Sequence, residues 1–176
     1  MRIIIYNKIC WWYAKIKSKI FNSHEILVQY YRKRGVKIGH NCLICSNPVT
    51  KEAFLLEIGN NVTVATNVTF LTHDFSAHLL YPDKTDCFGR IVIGDNCFIG
   101  ANSVVLYGVT LAKNIIVAAG SVVTKSFDEP NIIIGGNPAK VIGTWEHYKS
   151  KIKCNVIRRD ELLERLQTDD SFLIRR

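Results

Sequence analysis

Several features that would place this chain in a large class are scarce or missing. With only 4 Pro and 11 Gly in 176 residues, it is neither collagenous nor a low-complexity linker. No uncharged apolar run approaches the roughly 18 residues a spanning helix needs, so an integral helical membrane protein is not expected. The opening MRIIIYNKIC is broken by Lys8 and no small-residue cleavage site follows, so no signal peptide is expected. Acidic residues are nearly absent from one end. Residues 1–37 hold nine Lys or Arg against Glu25 alone, while the other 139 residues hold 14 of each sign. Nucleic-acid proteins more often spread basic groups over their working surface. No nucleic-acid partner is expected, and only the first segment should attract anions. The six cysteines include one C-x-x-C, Cys42 and Cys45, with no second pair to complete a four-ligand structural zinc site. They are expected to be reduced apolar filler in a cytoplasmic protein, with no metal.

What is present is an internal repeat. Stepping by six from Ile93 lands on Ile99, Val105, Leu111, Val117 and Val123, every one a branched aliphatic. The residue after each is often small (Gly94, Gly100, Ala112, Ala118), and four on from each stands Cys97, Ser103, Val109, Ile115 or Ser121. Upstream the phase recurs at Ile38 and Ile44, then at Ile58, Val64 and Phe70, with Val62 and Val68 four on. A period of six is not helical, since helices recur at 3.6. It suits short strands separated by corners, each sending one aliphatic inward. Asn60, Asn61, Asn67, Asp95, Asn96, Asn102 and Asn114 fall at the corner phase, and Asn and Asp tolerate left-handed backbone angles better than other side chains. Stacked coils of this kind share one continuous core although no coil is stable alone. The expected class is an all-β solenoid.

Two segments break the phase. Residues 74–90, DFSAHLLYPDKTDCFGR, separate the first run of coils from the second. An insertion of that length in a compact repeat is usually functional. The other, SFDEPN at 126–131, carries Pro130 and precedes IIIGGNPAKVI.

The segments IGNNVTVATNVTFLTH, IVIGDNCFIGANSVVLYGVTLAKNIIVAAGSVVTK and IIIGGNPAKVI resemble the hexapeptide-repeat acyltransferases, over roughly residues 35 to 143. The likeness is nearest to sugar O-acetyltransferases of the galactoside and maltose type and to those acting on capsular or lipopolysaccharide glycans. It implies a left-handed parallel β-helix; that hand opposes the usual right-handed crossover rule and comes from the resemblance alone. It also implies acetyl-CoA as acetyl donor, a sugar or glycan-precursor acceptor, and a homotrimer with sites between neighbouring columns. The general base of the family sits just after a coil at the head of the long loop, which here is His73. An imidazole there would take the proton of a sugar hydroxyl. Positions matching coenzyme contacts are Ala101, Ala119, Thr124, Lys125 and Lys140, the alanines letting the pantetheine arm approach and the lysines meeting phosphate. Asn47, His78 and Asp86 are candidates for the acceptor side, Asp86 also for orienting His73. The sequence departs from the galactoside enzymes at Cys45, where they carry a substrate-contacting asparagine.

The flanks suggest helices: a basic segment over 1–36, the repeat over 37–143, and a C-terminal segment over 144–176. Ile5, Ile9, Trp12, Ile16 and Ile20 form one stripe at helical spacing, bordered by Lys8, Lys15 and Lys19. It reads either as a cap on the coil end or as a peripheral contact of residues 1–20 with the inner membrane face. DELLERLQ reads as a short amphipathic helix. Other functions compatible with the pattern are N-acetylation of an antibiotic or amino sugar, a γ-type zinc carbonic anhydrase using His73 and His78, and a non-catalytic scaffold.

Overall fold

A computed structural model describes residues 2–20 and 23–174, excepting the side chains of residues 2–8. Ile5 of the apolar stripe and Lys8 on its border therefore lie outside the described side chains, as does Arg2. The chain divides into two compact units, Met1–Ile142 and Gly143–Arg176.

In the first unit, strands of two to four residues build three main sheets. One holds Lys37–Ile38, Leu56–Ile58, Ile91–Ile93 and Thr110–Leu111; a second includes Leu43–Ile44, Thr63–Val64, Phe98–Ile99, Ile115–Val117 and Ile132–Gly135; the third holds Thr69–Phe70, Val104–Val105 and Val122–Val123. From Leu56 to Val123 the coil strands go to the three sheets in rotation, so each of those circuits adds one parallel rung to all of them, whereas the first circuit, with Lys37–Ile38 and Leu43–Ile44, adds none to the third. The register explains the hexad. Ile58 pairs with Ile93 and Ile93 with Leu111; Val64 with Ile99 and Ile99 with Val117; Phe70 with Val105 and Val105 with Val123. Every hexad aliphatic from Ile38 to Val123 is buried, and so are the fourth-on residues Val62, Val68, Cys97, Ser103, Val109, Ile115 and Ser121. The buried polar ones find backbone partners: the Ser103 and Ser121 hydroxyls donate to Ala118 O at 3.1 and 2.6 Å, and Cys97 Sγ donates to Ala112 O at 3.2 Å. Burial also pushes the Cys97 thiol above its ordinary pKa.

The corner asparagines do two jobs. Asn61, Asn67, Asn96, Asn102 and Asn114 have positive φ between 54° and 60°, and Asn41 and Asn131 are positive too, at 55° and 64°. Asn60 and Asp95 do not; instead Asp95 Oδ1 accepts the Asn60 backbone N–H at 2.7 Å. The left-handed asparagines then stack into a ladder, Asn61 to Asn96 at 3.0 Å, Asn96 to Asn114 at 3.1 Å and Asn114 to Asn131 at 2.7 Å. The small residues beside the aliphatics answer to close coil stacking: a Cβ on Gly100 would lie 2.5 Å from Ala119 N. Asn96→Ala should cost about 1–3 kcal/mol, losing two ladder bonds and straining a left-handed corner. Asn96→Gly should cost less because glycine keeps the angle freely. Urea unfolding of the two variants separates the terms, and equal losses would show that backbone strain contributes nothing.

Helix α1 spans Arg2–Ile20 and α2 spans Glu25–Lys33. It is α2 that covers the first rung: Val28 and Tyr31 are buried, Tyr31 donates to Ser46 O at 3.1 Å, and Arg32 Nε donates to Ile38 O at 2.9 Å. In turn α1 lies on α2 through the face opposite its apolar stripe. Ala14 and Ser18 are buried, and Trp11 Nε1 donates to the Tyr31 hydroxyl at 3.2 Å. The capping reading of the stripe is thus corrected. Ile9, Trp12, Ile16 and Ile20 are exposed, because the face carrying Trp11, Ala14 and Ser18 is the one turned to α2.

The second unit contains α3 (Trp145–Ile152) and α4 (Leu162–Thr168). Thr144 caps α3, its hydroxyl accepting the His147 N–H at 3.3 Å. The helix expected in DELLERLQ forms, but Leu163 and Leu166 are exposed while Phe172 is buried beneath Arg165.

Candidate active site

The insertion leaves the coil through a two-rung neck. His73–Asp74 pairs antiparallel with Cys87–Phe88, opposing His73 to Phe88 and Asp74 to Cys87. Coil register measures the insertion: Val105 and Val123 pair 18 residues apart, whereas Phe70 and Val105 pair 35 apart. At the second rung of the neck, Asp74 Oδ1 accepts the Ser76 N–H at 2.8 Å, and Asp74 Oδ2 accepts the Tyr107 hydroxyl at 3.2 Å. The loop is therefore tied both to itself and to the next coil. Hydrogen bonds from Ser76, and then from Tyr107, hold the Asp74 carboxyl below its ordinary pKa; the same carboxylate raises the Tyr107 phenol.

His73 meets a carboxylate that sequence reading did not single out. Its Nδ1 lies 2.9 Å from Glu52 Oε2, and the buried Thr72 hydroxyl donates to the same oxygen at 2.9 Å. Thr50 Oγ1 stands 3.2 Å from Thr72 Oγ1 on the other side. A carboxylate only accepts, so this contact assigns the Nδ1 proton to the imidazole and leaves Nε2 with its lone pair when the ring is neutral. Among the described residues nothing bonds Nε2. The His73 side chain is 35% exposed and that of Glu52 17%, so the pair is partly enclosed with the imidazole the more open of the two. Phe88 flanks the ring, centroids 6.0 Å apart. Glu52 sits 21 residues before His73, on the preceding circuit beside the short 3-10 turn Ala53–Leu55. No local motif marks it; only the coil register brings it to the histidine.

The other expected residues fall in two groups. On the loop side, Asp86 is half-buried one residue before the returning neck strand, and the carboxylate on His73 Nδ1 is Glu52 rather than Asp86. His78 turns its Nδ1 to Phe75 O at 2.7 Å and stacks on the Phe75 ring at 4.2 Å. Asn47 is exposed and folds back locally, its Oδ1 accepting the Val49 N–H at 3.2 Å, with Cys45 exposed nearby in sequence. On the coil edge, Ala101 and Ala119 occupy one position on adjacent circuits, joined by Gly120 N–H to Ala101 O at 2.8 Å. Thr124 and Lys125 follow the strand Val122–Val123 and are exposed. Exposed Lys140 arrives beside them because the preceding residue, Ala139, donates its N–H to Val122 O at 2.8 Å. The alanines thus form a small-residue stack at one corner of the coil, and the two exposed ammonium groups lie past the next strand, Val122–Val123. Among the described residues no three His, Cys, Asp or Glu side chains gather as a metal site, and no helix is long and apolar enough to cross a membrane.

A family model described as the hexapeptide repeat of succinyl-transferase matches residues 90–125. Protein CapG of Staphylococcus aureus is 47% identical over 127 residues, covering 69% of this chain and 73% of the relative. The chain belongs to the hexapeptide-repeat acyltransferase family. The galactoside O-acetyltransferase of Escherichia coli is 33% identical over 109 residues, 61% of this chain, which spans only about half (53%) of that enzyme. Among solved structures, a maltose O-acetyltransferase from Clostridium difficile superposes with a TM-score of 0.59 at 25% identity, covering 75% of this chain and 84% of the other. In this acyltransferase the matched residues 90–125 contain Ala101, Ala119, Thr124 and Lys125, whereas His73 and Glu52 precede them.

Proposed function

We propose that the chain is an acetyl-CoA-dependent O-acetyltransferase of sugar hydroxyls that works by direct transfer with His73 as general base. The observation that carries the reading is the Glu52–His73 pair at the neck of the insertion: an oriented, half-open imidazole whose bare nitrogen is available to a substrate. His73 Nε2 accepts the proton of the acceptor hydroxyl as its oxygen becomes nucleophilic, and Glu52 holds the ring in the tautomer that does so. Bound acetyl-CoA supplies the thioester carbonyl that is attacked and the thiolate that leaves. Ala101 and Ala119 give the donor's arm room along the coil edge, Lys125 and Lys140 meet its phosphates, and Thr124 offers a hydroxyl beside them. Backbone N–H groups at this edge stabilise negative charge developing on the carbonyl oxygen. Asn47, His78 and Asp86 face the acceptor. The sugar acceptor is supported by relatives named for galactoside and maltose; a capsular or lipopolysaccharide glycan precursor is the polymer class this reading selects. A left-handed coil, a homotrimer with shared sites and a cytoplasmic location belong to the same reading.

The test is transfer from acetyl-labelled coenzyme A to a panel of sugar and glycan acceptors. Label is expected on the acceptor, released by mild alkali as an ester rather than retained as an amide. Cys87→Ser and Cys97→Ser should both keep activity, since one thiol is exposed at the neck, the other is buried in the core, and direct transfer uses neither. Acetyl label trapped on cysteine would overturn direct transfer. Alkali-stable product would move the acceptor to an amine.

A further inference from the structure

The proposed acyl transfer makes no use of the exposed stripe of α1, and its surroundings say what could cover it. Ile9, Trp12, Tyr13, Ile16 and Ile20 are 49–72% exposed, and at 3.6 residues per turn they share an arc of about 100°. The opposite face, through Trp11, Ala14 and Ser18, is the one docked on α2. Helical geometry puts Lys17 on one border of the stripe and Lys15 and Lys19 on the other. Lys15 leans over the Trp11 ring at 4.7 Å, which aligns its stem along the helix. Beside Tyr13 opens a cleft of about 350 Å³ between α1 and α2, whose lining includes Lys17, Tyr30 and Lys33. Acid is scarce here: Glu25 also lines the cleft, but it is bonded by Arg32 Nη1 at 2.6 Å and by Gln29 Nε2 at 2.8 Å.

We infer that this face of α1 rests on an anionic phospholipid surface, with the apolar stripe in the headgroup boundary and the lysines at phosphate level. The pattern is what an interfacial helix requires: one apolar face carrying Trp and Tyr, whose amphipathic rings suit the boundary, and flanking lysines whose stems can snorkel. A second copy of the chain is a poorer occupant. A self-complementary contact would bring lysine borders together with no free acid between them, and like charges across an interface repel. The inference does not rest on the acyl-transfer reading.

The experiment is co-sedimentation of the full chain with vesicles of phosphatidylcholine alone and of phosphatidylcholine mixed equally with phosphatidylglycerol. Binding is expected only to the mixed vesicles, weakening as salt is raised, with a blue shift of tryptophan emission that is lost in Trp12→Phe. Each ammonium near an anionic leaflet is worth about a five-fold gain in partition, so Lys15→Glu, Lys17→Glu and Lys19→Glu together should weaken binding at least a hundred-fold or so. Trp12→Ser with Ile16→Ser should abolish binding while leaving thermal unfolding unchanged, because both side chains point away from the fold. No sedimentation of the full chain with mixed vesicles, or binding that survives both multiple variants, overturns the inference. A smaller oligomer for Trp12→Ser with Ile16→Ser in sedimentation velocity, without vesicle binding by the parent, would assign the face to a contact between copies and overturn it equally.

Discussion

His73→Ala is expected to lower turnover by roughly two to four orders of magnitude, the usual contribution of a positioned general base. Affinity for coenzyme A should stay within about two-fold of the parent, since the residues proposed for the donor lie on the coil edge and not at the neck. The contrast between the two readouts is the point, because a variant that merely disturbed the fold would lose both. Glu52→Gln is the companion. An amide can present its NH2 to His73 Nδ1 and favour the other tautomer, so turnover should fall by about a hundred-fold or more with little change in coenzyme binding. Steady-state kinetics with labelled donor, alongside calorimetric titration of coenzyme A, checks both variants. Activity of His73→Ala above about a tenth of the parent would place the base elsewhere.

Ile99→Ala should destabilise the first unit by about 2–5 kcal/mol, among the larger costs expected of any single substitution in the coil. Ile99 is fully buried on a central circuit, paired with Val64 on one side and Val117 on the other. Truncation there removes contacts to two neighbouring rungs at once, and a ladder of parallel strands has little freedom to collapse into the gap. Val104→Ala, on the same circuit but outward-facing and half-exposed, should stay within about 0.5–1 kcal/mol of the parent. Urea unfolding of the pair tests whether the inward hexad position, and not strand membership, carries the energy. Similar losses at both positions would refute it.

The neck has its own acid sensitivity. Asp74 titrates below the ordinary carboxylate range in the folded chain, so its bonds to Ser76 and Tyr107 favour the folded loop fully above that range and fade as pH falls through the depressed value. Being still partly open to solvent, it tethers the loop without contributing much to global stability.

How much of this was legible in residues alone depends on the range of the interaction. The hexad aliphatics are a local signal: each must point inward for any coil to bury apolar surface, so Ile58, Val64, Ile93, Ile99 and the rest could be placed in a core without coordinates. The left-handed corners were legible for a similar reason at Asn61, Asn67, Asn96, Asn102 and Asn114, and the insertion showed itself as a break in phase. Asn60 and Asp95 share the residue type but spend it on a side-chain bond, a choice made by the neighbouring circuit. The Glu52 contact with His73 was not legible at all. It joins residues 21 apart through the register of two coils and the short turn Ala53–Leu55, and one residue more or less in that turn would present a different side chain. The α1 stripe divides in the same way. Its spacing is written in the sequence, but whether it faces in or out was decided by α2, which takes the face of Trp11, Ala14 and Ser18 and leaves the stripe to solvent.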